Sequence, residues 1–131
     1  MKRIIIVICF FSVLTTLVSC SNDAKEFEGK WELITAPVTG FDYFWSFQES
    51  GNKEGIVDVF VTDTLSGETD TCSSGDFFVK NNVITIGAPI AYCEWSTFDG
   101  EWDVHKLNDE FMTLIRYLPR GTIYLEFAKR N

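Results

Sequence analysis

Four cysteines, a single histidine and 19 carboxylates are the groups in this 131-residue chain whose types could do chemistry. His105 would have to be the base of any Ser-His-Asp or Cys-His arrangement, and no Gly-flanked nucleophilic serine accompanies it. Its setting, Asp103-Val104-His105-Lys106, reads as a strand with the imidazole facing solvent beside charges. One histidine and no C-x-x-C spacing leave no set of zinc ligands, and Asp58, Asp63, Asp70 and Asp76 lack EF-hand spacing. Asp42, Glu94, Asp99, Glu101 and Asp103 are placed to gather at one end, where a glycosidase would need a carboxylate pair. Acids run through the whole chain, however, and the net charge is −8. The expectation is therefore a protein that is not an enzyme, with no catalytic residues, metal or cofactor.

Cys20 is the exception. Met1, Lys2 and Arg3 precede a run free of charge from Ile4 to Asn22, which reaches Leu17, Val18, Ser19 and Cys20. A basic start, an apolar run and small residues form the layout of a secretory signal. The run is shorter and more polar than the roughly 20 apolar residues a bilayer-spanning helix needs. Leu17 to Cys20 resembles the lipobox of bacterial lipoproteins. That resemblance implies removal of residues 1–19 and acylation of Cys20, with the protein anchored at the outer membrane and facing either the periplasm or the outside. Two or three acyl chains at about 0.8 kcal/mol per buried methylene hold far more firmly than one.

Loss of Lys2 and Arg3 with the leader makes the remaining chain still more acidic, and such a surface repels phosphate backbones. Nucleic-acid binding is excluded on that ground, and a monomer is expected. With Cys9 removed and Cys20 lipidated, Cys72 and Cys93 are left, and an even pair in an exported setting reads as a disulfide. Closing that loop would contribute roughly 3 kcal/mol in the chain-entropy model.

Residues 20–28 read as the lipidated cysteine followed by a polar tether, and residues 29–131 as one domain. Short runs rich in aromatic and β-branched residues alternate with turn residues, as in an antiparallel sandwich or barrel. Eight strands are predicted, over residues 30–35, 43–49, 55–63, 72–80, 83–87, 101–107, 111–117 and 122–129. Trp45 and Phe47 alternate with Ser46 and Gln48, while Val57, Val59 and Val61 alternate with Asp58, Phe60 and Thr62, so each strand turns one face to a shared interior. The second, fourth and sixth connections are short and carry the Gly, Asn and Asp that hairpins require. The first, third and fifth are longer. In an up-and-down meander the short turns close one end, the bottom, and the long loops surround the top, where Cys72 and Cys93 would also meet.

Gly29-Lys30-Trp31 at the first strand resembles the G-x-W of lipocalins. The series Trp102, Val104, Leu107, Asn108, Met112, Leu114, Arg116, with Glu126-Phe127 near the end, is similar to small lipocalin-like lipoproteins of Gram-negative bacteria. The resemblance implies an all-β, eight-stranded antiparallel barrel, with Trp31 closing its bottom and a basic residue across the indole. Arg116 is the first choice for that residue, with Lys129 and Arg130 behind it. It also implies a small hydrophobic or aromatic ligand at the mouth. Phe41, Tyr43, Trp45 and Phe47 near the first connection, with Tyr92, Trp95 and Trp102 near the fifth, would supply the contacts. A barrel of eight strands can equally be filled by its own side chains. In that case the loops at 36–42 and 88–100 would serve an envelope protein, a secreted enzyme or a glycan instead.

Overall fold

The structure, a computed structural model, describes residues 22–35, 39–87 and 99–131. A four-residue helix, α1 (Ala24–Phe27), precedes eight strands: β1 (Gly29–Leu33), β2 (Phe41–Gly51), β3 (Glu54–Asp63), β4 (Thr69–Lys80), β5 (Val83–Gly87), β6 (Gly100–Leu107), β7 (Phe111–Leu118) and β8 (Gly121–Arg130). Each strand pairs antiparallel with the next, and β1 pairs with β8, so the sheet closes into an up-and-down barrel. Closure satisfies both edges of every strand without a partner molecule. No helix among the described residues is long and apolar enough to cross a membrane.

The period-two pattern becomes the inner wall. Trp31 faces Trp45 across β1–β2, Trp45 faces Val59, and Val59 faces Ser73, so one line of partners circles half the barrel. Three register shifts interrupt the ladders: one at Ser50, beside the β2–β3 turn, and two bulges within the strands. Cys72 is the extra residue where Val59–Ser73 pairing gives way to Phe60–Thr71, and His105 is the extra residue between Val104 and Lys106. A bulge leaves one residue outside the ladder and re-aims its side chain. His105 is accordingly exposed, while Cys72 is buried.

The bottom is packed shut. Asn81, in the left-handed region at φ 55°, turns β4 into β5, and the Asn108 side chain accepts the N–H groups of Glu110 and Phe111 at 2.9 and 2.7 Å. The expected tether proves to be part of this closure: α1 lies across the bottom with Ala24 and Phe27 fully buried. The Glu26 carboxylate accepts the Asp23 N–H at 3.0 Å, half of a capping box. Lys53 at the β2–β3 turn pairs with Asp23 at 2.5 Å and donates to the Asn22 carbonyl at 2.9 Å, and the Ala24 N–H donates to the Asn52 carbonyl. The Phe27 ring sits 5.7 Å from Phe47 and 6.2 Å from Phe77, which meet edge to face at 5.2 Å. Each such ring contributes about 1.5–3 kcal/mol by burial. Gly55 makes the stack possible, because a Cβ there would come within 2.5 Å of the Phe77 ring. The folded body thus begins before Gly29, and the polar run 21–28 is not all tether.

Candidate functional site at the open end

Burial along the inner wall falls from bottom to top. On β2, Phe47, Trp45, Tyr43 and Phe41 share the inner face and are 1%, 3%, 8% and 39% exposed. On β8 the step is from a fully buried Phe127 to Ile123 at 38%, and on β7 from Met112 and Leu114, both fully buried, to Leu118 at 48%. Register keeps these residues on one face, since Met112 faces Phe127, Leu114 faces Leu125 and Arg116 faces Ile123. The lower barrel is solid; the upper wall is apolar and opens to solvent.

The top connections among the described residues are tied to one another. The Thr64 N–H and hydroxyl both donate to the Gly40 carbonyl at 3.0 Å, joining the β3–β4 and β1–β2 connections. The Asp63 carboxylate accepts the N–H groups of Leu65 and Ser66, which holds the β3–β4 turn. The β7–β8 connection is also short although it lies at the top, so turn length separates the two ends less cleanly than the meander argument expects.

Two Trp–cation pairs stand on the inner wall. At the bottom the Lys129 ammonium lies 5.1 Å from the Trp31 ring centre, and the Trp31 indole N–H donates to the Phe27 carbonyl at 2.7 Å. Arg116 is therefore not the residue across Trp31. The β1–β8 register sets Trp31 opposite Lys129, one of the two runners-up on sequence grounds, while the direction of β7 carries Arg116 to the other end. Gly29 fits this arrangement, since a Cβ at its φ of +119° would lie 2.8 Å from the Lys129 stem.

Arg116 instead covers Trp102, with its guanidinium carbon 3.8 Å from the ring centre. Its Nη2 donates to the Asp99 carbonyl at 2.5 Å and its Nε to the Glu101 carbonyl at 3.2 Å, where β6 leaves the 88–98 connection. Burial lowers the Arg116 pKa from its ordinary value, and the nearby Asp99 charge offsets part of that. Burial also raises the pKa of Tyr43 above that of a free phenol.

Of the residues named for the mouth, Phe41, Tyr43 and Trp45 follow one another down the upper wall, and Trp102 lies beneath Arg116. Phe47 is corrected: it belongs to the lower stack against Phe27 and Phe77. Tyr92, Trp95, Cys93, Glu94 and Cys20 lie outside the described residues, and so does the pairing expected for Cys72. Asp99, Glu101 and Asp103 are exposed and Asp42 is half-buried. Among the described residues no three His, Cys, Asp or Glu side chains are grouped to hold a metal. Ile123 and Leu118 were missed as mouth residues, although their alternation with Tyr124 and Tyr117 marks them as inward once the barrel closes.

The fold and the site together define a closed eight-stranded up-and-down barrel, packed at its lower end and with inward-facing apolar residues partly exposed towards its upper one. No protein-family model matches the chain, and no curated protein matches it. Among solved structures it is similar to a de novo designed fluorescence-activating β-barrel, at 16% identity over 82% of this chain and 96% of that one, with a TM-score of 0.46.

Proposed function

We propose that this chain is a lipid-anchored, non-catalytic, lipocalin-like binding protein that takes a small hydrophobic or aromatic molecule into the upper end of its barrel. The observation that carries this reading is the exposure of inward-facing apolar residues on three strands: Phe41, Leu118 and Ile123 stand above a floor formed by Trp45, Leu114 and Phe127. Apolar wall left wet at a mouth and backed by rigid aromatic packing gains free energy when a ligand displaces that water. Arg116 over Trp102 supplies the polar group that such sites use to orient what enters.

The leader supports acylation at Cys20 and retention at the outer membrane, with Cys72 and Cys93 joined in the oxidising compartment. Because α1 lies across the bottom, an anchor preceding it would leave the mouth pointing away from the membrane. Non-reducing native mass spectrometry of protein from its host reports acylation, the disulfide and any retained ligand together.

Binding is tested with a hydrophobic fluorophore on the protein prepared without its lipid. Saturable binding that weakens on Phe41→Ser and Ile123→Ser, both rim substitutions that spare the core, supports the mouth. No binding across a broad apolar panel removes the reading. The exposed Leu65, Phe41 and Leu118 favour one second reading, in which the upper rim docks a protein partner through loops 36–42 and 88–100. Co-purification of a stoichiometric protein, with a fluorophore-inert barrel, would select it.

A further inference from the structure

A concave site lies on the outer wall, apart from the upper end of the barrel. Ser50, Glu54, Asp76, Phe78, Thr85 and Gly87 line an open groove of about 420 Å³. The register explains its shape. Phe78 of β4 stands between Glu54 of β3 and Thr85 of β5, and Asp76, two residues along on the same outer face, stands between Ile56 and Gly87. Gly87 hollows the groove: a Cβ there would meet only the Asp76 carbonyl oxygen, at 3.9 Å. Phe78 is 47% exposed, so apolar surface lies beside both carboxylates of the groove. The Glu54 side chain lies against Gly51, at the lip of the groove, where a Cβ on Gly51 would be 3.3 Å from Oε1.

Among the described residues neither Glu54 nor Asp76 has an ion pair or a side-chain hydrogen bond. The neighbouring cation Lys53 is engaged by Asp23 and Asn22. Lys80, next along the outer face of β4, stands opposite Val83 and does not line the groove.

We propose that this groove binds an organic cation, an alkylammonium whose charge sits between Glu54 and Asp76 and whose carbon chain lies on Phe78. Charge complementarity selects this occupant. Any molecule seated here takes water from both carboxylates, and a neutral ligand leaves that loss uncompensated. An ammonium group returns it through charge-assisted hydrogen bonds and through attraction to the Phe78 ring. An anionic ligand or lipid surface meets two like charges on a protein that already carries a net charge of −8.

The test is an NMR titration of the ¹⁵N-labelled full chain in a non-ionic maltoside, with butylammonium as probe and butan-1-ol as its uncharged counterpart. Support is a saturable shift confined to the amides of Asp76, Phe78, Thr85 and Gly87, with butan-1-ol at least about tenfold weaker. Glu54→Gln with Asp76→Asn should weaken butylammonium about tenfold, and Phe78→Leu about two- to fivefold. Gly87→Leu should abolish the shifts by filling the hollow, with an unchanged thermal midpoint. Equal responses to the two probes, shifts spread over the acidic surface, or no saturation would overturn the proposal. If Gly87→Leu disturbs the fold, the Glu54→Gln/Asp76→Asn pair on the exposed wall decides alone.

Discussion

The two ends of this barrel solve the same problem in opposite ways. Each places an indole on the inner wall and sets a cation over it, yet Lys129 over Trp31 lies beneath a helix and a stack of phenylalanines, whereas Arg116 over Trp102 lies beside an open rim. At the bottom, the Trp31 N–H is spent on the Phe27 carbonyl, so the pair locks α1 to the barrel. At the top, the Arg116 donors reach the carbonyls of Asp99 and Glu101, so the pair fixes the foot of a loop. One cation serves the closed end; the other stands where a ligand would arrive.

The sharpest way to break this comparison is to remove the same residue type from each end. Phe27→Ala empties a fully buried position between Phe47 and Phe77 and is expected to lower unfolding free energy by about 3–5 kcal/mol. Phe41→Ala, on the rim, is expected to cost less, about 1–2 kcal/mol, because 39% of the residue is already exposed to water. Urea unfolding of both variants checks the pair. Equal losses would mean that the upper rim is as tightly packed as the bottom.

Next in size is Gly55→Ala. Its Cβ would sit 2.1 Å from the Gln48 carbonyl oxygen and 2.5 Å from the Phe77 ring, so backbone and ring must both shift. Overpacking of this kind costs typically about 1–3 kcal/mol. A thermal midpoint unchanged from the parent would show that the lower stack has more room than its geometry indicates.

The cations should separate by function. Lys129→Met removes a cation–π contact at 5.1 Å and keeps the apolar stem, for a loss of about 0.5–1 kcal/mol with no effect on fluorophore binding at the mouth. Arg116→Met removes a contact at 3.8 Å together with two charge-assisted bonds to carbonyls, so about 1–2 kcal/mol is expected after discounting for its partial exposure. It should also weaken an anionic fluorophore more than a neutral one, if the guanidinium faces the bound probe.

Much of this architecture could be read from the chain because inward and outward positions alternate. Val83–Gly87 is predicted and found with the same ends, and Phe111–Leu118 differs by one residue. The misses have physical causes. β4 begins at Thr69 rather than Cys72 because the bulge at Cys72 reverses the phase of Thr69–Thr71, which then looks like loop. α1 is too short to show helical periodicity. Its one sequence mark is Asp23-Ala24-Lys25-Glu26, with the acid–x–x–Glu spacing of a capping box, followed by a phenylalanine that has no reason to sit in a solvated tether. The partner of Trp31 depends on how the first strand meets the last, 98 residues away in sequence, and no local pattern encodes that register. The outer groove has no sequence signature, since its residues come from four strands and its depth from the absent side chain of Gly87.

The smallest effect is also the most local probe of the boundary between the two halves. Tyr43 lies between the solid core and the rim, and burial holds its pKa above the ordinary phenol value of 10.0. The folded state therefore keeps the proton after the unfolded state has begun to lose it. The resulting stability is fully present below the unfolded pKa and is lost as pH rises through the folded one. Unfolding free energy should be level as the pH approaches 10 and decline above it, and Tyr43→Phe should abolish that part of the decline. In a spectrophotometric titration, the difference between the parent and Tyr43→Phe should show a phenol that ionises above the ordinary value. A ligand seated on the upper wall would exclude more water from the hydroxyl and delay it further. A Tyr43 titration untouched by a saturating ligand would place that ligand elsewhere on the molecule, and the open end would then be a rim for contacts between proteins.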